Sequence, residues 1–105
     1  MPKLNEYKKL LNEQLFFEAH EALEEYWFPR RKDKSSDILI IKGFINAAVA
    51  FELKKRGRDK NAIKVWQTYK KFSNLIKRDE KELYRLKIFV DNFAKNWLFN
   101  NINML

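Results

Sequence analysis

At 105 residues, with 46% hydrophobic and 15% aromatic side chains, the chain is long enough to close one core and too apolar to stay disordered. It has no cysteine, which excludes a disulfide framework and any thiolate metal site. A formal charge of +8 permits attraction to nucleic acid or an anionic surface, but sixteen of the twenty-two basic residues are lysine, and with abundant asparagine, isoleucine and phenylalanine this reads as a general compositional bias.

Two glycines and two prolines supply little turn chemistry for a sheet, so an all-α chain of long helices is expected, as a single domain over residues 1–105. Leu4, Tyr7, Leu10 and Leu11 recur at helical spacing and predict a short first helix over about 3–11. Asn12 is expected to cap a second helix that ends near Trp27, because Pro29 disfavours helical geometry at Phe28. Arg30 to Lys34 reads as a solvated loop. Ser35 or Ser36 should cap the third helix, with Asp37 in its first turn. From Ile38 to Phe51 this helix is apolar nearly all the way round, the mark of an enclosed central element. Lys42, Asn46 and Glu52 interrupt the longest apolar run, Ile38 to Leu53, which is also short of the ~20 residues a bilayer span needs. Gly57 suits the C′ position at its end.

Asp59 opens a fourth helix, with Ala62, Val65, Trp66, Tyr69, Phe72 and Ile76 on one face. Asp79 is expected to cap a fifth, whose Leu83, Leu86, Val90, Phe93 and Trp97 alternate at three and four residues. Short connections make neighbours antiparallel, giving a compact bundle of about five helices around a buried third. Ile88, Phe89 and the apolar tail from Leu98 to Leu105 leave surplus apolar surface, from which a homodimer is expected. No apolar signal region is visible at the N-terminus, and the expected location is the cytoplasm.

The functional signal is concentrated in Phe16-Phe17-Glu18-Ala19-His20-Glu21-Ala22-Leu23-Glu24-Glu25-Tyr26-Trp27. This stretch holds the only histidine and four of the fourteen acidic residues, with no lysine or arginine, inside a basic chain. Projected at ~100° per residue, Phe16, His20, Leu23 and Trp27 fall on one line. Glu24 lies at its edge one turn from His20, and Glu18, Glu21 and Glu25 turn toward the opposite face. On the third helix Lys42, Asn46, Val49 and Leu53 share a stripe, with Glu52 projecting further along. If the two helices pack through these faces, His20, Glu24 and Asn46 meet.

An unsatisfied buried polar group costs roughly 1–3 kcal/mol, so these side chains must satisfy one another, take a water, or bind something. One reading is a structural hydrogen bond that fixes helix packing. A second is a site for a small ligand or a protein partner, or a divalent metal held by His20, Glu24 and Glu52. A third is acid–base, hydrolase-like chemistry on His20, Glu21 and Glu24, since a carboxylate beside the imidazole would suit it to carrying a proton. No glycine-rich phosphate loop, HExxH pair or fixed nucleophile is present. Nucleic-acid binding through the basic fourth and fifth helices is a further alternative, and predicts affinity that falls steeply with salt.

The stretch from Phe16 to Trp27 resembles the signature helix of a family of small prokaryotic proteins, domain-of-unknown-function family 309, with the approximate pattern F-F-E-A-H-E-x-L-E-x-x-W. Gly43-Phe44-Ile45-Asn46-Ala47-Ala48-Val49-Ala50-Phe51, followed by the basic turn ending at Gly57, is similar to the family's second segment, G-L-I-Q-x-A-x-A. The resemblance covers about residues 10–66. It implies an all-α bundle with an enclosed third helix, places Phe16, Glu18, His20, Glu21, Glu24, Trp27 and Gly43 at pattern positions, and brings no activity with it. Asn46 stands where glutamine is usual, and Glu52 where many members carry a second histidine. A carboxylate there would keep metal affinity but change the proton chemistry.

Overall fold

In the computed structural model the described residues are 3–99, and they form five helices: α1 (Leu4–Asn12), α2 (Phe16–Trp27), α3 (Ser36–Lys55), α4 (Asp59–Ser73) and α5 (Lys81–Trp97). A 3₁₀ turn, Phe28–Arg30, follows α2, and no strand occurs among the described residues. Ten of the twenty residues of α3 are buried, as its all-round apolar sequence predicts. α1 packs on α2, α2 on α3 and α3 on α4, whereas α5 lies against α3, and buried side chains from all five close one core. None of the described helices is long and apolar enough to cross a membrane.

Aromatic rings knit the bundle where α2, α3, α4 and α5 meet. The buried Phe51 ring lies 5.6 Å from Phe16, 5.8 Å from Trp66 and 4.9 Å from Phe93. Trp97 meets Phe16 edge-on at 5.1 Å and donates its indole N–H to the Phe51 carbonyl at 3.0 Å, so a large ring enters without orphaning its donor. At Gly43 the backbones of α3 and α4 come close enough that a Cβ would lie 2.9 Å from the Phe72 Cβ.

The expected fifth-helix stripe is buried at Leu83, Leu86 and Val90 and packs against the core at Phe93 and Trp97. Its surplus apolar surface is smaller than expected. Phe89 packs against the core beneath the Lys8 ammonium, 4.9 Å above its ring, and Leu98 is buried, which leaves Ile88 exposed. Residues 100–105 of the expected apolar tail lie outside the described residues.

Several helix ends differ from expectation. Asn12 does not cap α2; it is the last residue of α1, and the chain reverses at Gln14 with φ +59°. The Leu15 N–H donates to the Leu10 carbonyl at 2.9 Å and the Gln14 N–H to Leu11 at 3.0 Å, the paired bonds of a Schellman cap. This tight reversal lets Leu11 and Phe16, both fully buried, enter the same core from opposite sides of the turn. Gly57 makes the same cap on α3 at φ +77°, as its C′ placement predicts. Asp79 precedes α5 without capping it; Glu80 holds that position, its carboxylate accepting the Lys77 N–H at 3.0 Å. Ser35 sits at the α3 cap but makes no side-chain bond there, its own N–H donating to Asp33 at 2.8 Å.

Phe28 keeps helical dihedrals despite Pro29, because the chain tightens into the 3₁₀ turn rather than extending. The basic run beyond it is exposed but engaged. Arg30 donates to the Tyr26 carbonyl at 2.8 Å and Arg31 to Phe28 at 2.7 Å, each guanidinium stacked on the ring of the residue it caps.

A left-handed backbone costs an L-residue roughly 1–2 kcal/mol, of which glycine's larger entropy loss on folding returns roughly 0.5–1. Gln14→Gly should therefore stabilise the protein by about 0.5–1 kcal/mol in urea unfolding. Gly57→Ala meets no atom within 4 Å, so its loss of about 1 kcal/mol would be purely backbone strain.

Two of the four tyrosines are buried with partners: Tyr7 donates to the Phe44 carbonyl at 2.6 Å, and Tyr69 to Asp91 at 2.9 Å. Burial pushes the Tyr7 phenol well above its ordinary range; burial, and then the Asp91 charge, does the same for Tyr69. Each phenol holds its proton more tightly folded than unfolded, so its contribution is whole below about pH 10 and is lost as pH rises beyond that. Stability should fall above that pH by as much as about 1.4 kcal/mol per unit for each tyrosine. Tyr7→Phe and Tyr69→Phe should each flatten that slope in urea titrations run at successive alkaline pH values.

Candidate functional site

The reversal at Gln14 sets the phase of α2. Phe16 enters the core, Phe17 faces outward, and His20, one turn on, lands on the margin between them. The imidazole Nε2 lies 2.6 Å from the Glu24 carboxylate, with side-chain exposures of 21% and 42%, so the pair is shielded but not sealed. The Phe17 ring covers the imidazole at 5.9 Å, tilted 41°. The i,i+4 pairing expected within α2 is therefore formed.

The expected meeting with Asn46 is not made. Asn46 is half-buried and donates its amide to the Lys42 carbonyl of its own helix at 2.9 Å, a short-range bond that meets its need without crossing to α2. Glu52 likewise turns within α3, accepting from Arg56 Nε at 2.7 Å. Among the described residues no buried side-chain nitrogen or oxygen lacks a partner. Lys42 reaches over the half-buried Trp27 ring at 5.6 Å, so the far end of this seam is also occupied.

Between α2 and α3 lies a cleft of about 250 Å³. Phe16, Ala48, Val49 and Leu53 line it with apolar surface, Phe17 borders it, and His20, Glu52 and Arg56 supply its polar groups. Glu18, Glu21 and Glu24 instead line a separate cleft of about 540 Å³ against α1, together with Glu6, Glu25 and Lys3. The candidate polar residues thus divide: His20 and Glu52 on one cleft, Glu18, Glu21 and Glu24 on the other, and Asn46 on neither. Glu24 links the two through its bond to His20.

The ligand set expected for a divalent metal, His20 with Glu24 and Glu52, is not assembled. Glu24 and Glu52 border different clefts, and among the described residues no three histidine or carboxylate side chains gather closely enough to hold a metal ion. Arg56 was foreseeable only as a cation suited to the end of α3. Its position four residues after Glu52 was the signal that it would pair there and join the cleft.

These features define an all-α, five-helix protein whose second helix presents a paired imidazole beside a small, mainly apolar cleft. The chain belongs to the family described as domain of unknown function (DUF309), which matches it over residues 4–65. That span takes in α1, α2, α3 and the first half of α4, so the whole of the cleft lies within the family's common part. Comparison with curated proteins and with solved structures finds no match.

Proposed function

We propose that this protein is a binding module that receives a small apolar group in the α2–α3 cleft, with His20 and the Glu52–Arg56 pair framing its polar side. The observation that carries this reading is the lining itself: five apolar side chains beside a carboxylate and a guanidinium that already neutralise each other. A mostly apolar cleft with a few convergent polar groups is the usual character of a small-molecule site. Glu21 and Glu24, the carboxylates of the hydrolase-like alternative, line the other cleft, which favours binding here over that alternative. Leu15 and Phe17, exposed at 41% and 52%, extend apolar surface from this end of α2.

Indole, a compact aromatic with one polar atom, is a suitable probe. Titrated into labelled protein, it should give saturable amide shifts at His20, Val49 and Leu53, and Val49→Phe, which fills the cleft, should abolish them. Shifts that do not saturate, or that survive Val49→Phe, would contradict the reading. A dilution series without indole tests the alternative occupant, a side chain from a second copy of the chain, which predicts concentration-dependent shifts at the same residues.

A further inference from the structure

We infer that the cleft between α1 and α5, on a face distinct from the α2–α3 cleft, is a binding site for a phosphate group. It encloses about 460 Å³ and is lined by Lys8, Lys81 and Arg85 against a single carboxylate, Glu82. The buried Leu4 and Leu86 give it an apolar base, and Asn5 adds a neutral amide. The two clefts that α2 borders carry the opposite charge or none. The α1–α2 cleft has five glutamates against Lys3, and the α2–α3 cleft pairs Arg56 with Glu52.

Lys8, Lys81 and Arg85 form no ion pair with any described carboxylate, not even with Glu82 of the same cleft. Lys81 and Arg85 stand one turn apart on α5, where like charges repel, and Lys8 of α1 is brought to the same opening. Apart from the Lys8 contact with the Phe89 ring, these three cations have no bonded partner among the described residues; the arrangement raises the local potential, and low-dielectric walls concentrate that field. An anion relieves it.

The donors select among anions. A lone carboxylate is satisfied by one guanidinium fork, whereas a phosphate carries the charge and the oxygens to engage a guanidinium and two ammonium groups together. The volume falls in the range of pockets that hold small ligands, so the phosphate belongs to a larger molecule: a free nucleotide or polyphosphate, or the backbone of a single-stranded nucleic acid. The chemistry at the cleft is the same for either source.

Pyrophosphate titrated into labelled protein at low salt should give saturable shifts centred on Asn5, Lys8, Lys81 and Arg85. Lys81→Gln combined with Arg85→Gln, both exposed and remote from the core, should leave the circular dichroism unchanged and weaken binding by about tenfold or more. A single-stranded oligonucleotide then separates the sources. If it binds more tightly than pyrophosphate, with log affinity falling against log salt at a slope of about −2 for three cations, the site takes nucleic-acid backbone. If it gains nothing over pyrophosphate, the site takes free phosphates. Absence of saturable shifts at this cleft, or equal affinity in the double variant, overturns the inference.

Discussion

Phe51→Ala is expected to lower the unfolding free energy by about 3–5 kcal/mol, the range for emptying a fully buried aromatic site. Among the described residues Phe51 is the one ring that contacts the aromatic side chains of three other helices: Phe16 of α2, Trp66 of α4 and Phe93 of α5. Its removal strips a neighbour from each at once, and rings of that size and fixed orientation cannot collapse together into the space. Domains of this kind have a total stability of about 5–15 kcal/mol, so the loss removes from about a fifth of the margin to all of it. Urea unfolding followed by circular dichroism and by tryptophan fluorescence would measure the loss. A loss below about 1 kcal/mol would mean that the rings repack freely and that the aromatic cluster does not organise the bundle.

The second large effect is expected from one added methyl group. In an exposed helix interior, Gly→Ala gains about 1 kcal/mol from propensity alone. At Gly43 the sign should reverse, because the new Cβ would sit 2.9 Å from the Phe72 Cβ: an overpacking cost of about 1–3 kcal/mol set against that gain leaves a net loss of up to about 2 kcal/mol. That atom is attached directly to the α4 backbone, so no rotamer change moves it away and the two helices must separate. The same urea series measures the effect. A neutral or stabilised Gly43→Ala would show that α4 slides on α3 at little cost.

The features read correctly from the sequence are those fixed by local chemistry or by one dominant pattern. The all-round apolar run from Ile38 to Phe51 placed α3 at the centre, since only an enclosed helix hides every face. Gly57 marked its end because glycine alone takes the left-handed cap without penalty. The His20–Glu24 pair was legible because both partners lie on one helix, one turn apart.

Where the sequence misled, a non-local or competing interaction decided the outcome. Gln14 in the left-handed region has no compositional marker, and Asn12 looked like a cap because that residue type often is one; burial of Leu11 and Phe16 fixed the turn instead. Facing stripes on α2 and α3 suggested that Asn46 would reach His20. A projection of faces does not show the nearer partner on the same helix, the Lys42 carbonyl for Asn46 and Arg56 for Glu52. The α1–α5 cleft depends on packing between segments some seventy residues apart in sequence, and no local pattern in either helix discloses it.

The account turns on the α2–α3 cleft as the place where a guest is received, and a crystal structure of the protein soaked with indole tests it most directly. The expected result is density for one aromatic ring between Phe16, Val49 and Leu53, with the His20–Glu24 pair intact at its side. Density confined to other surfaces, with Phe17 folded over an unfilled cleft, would contradict it.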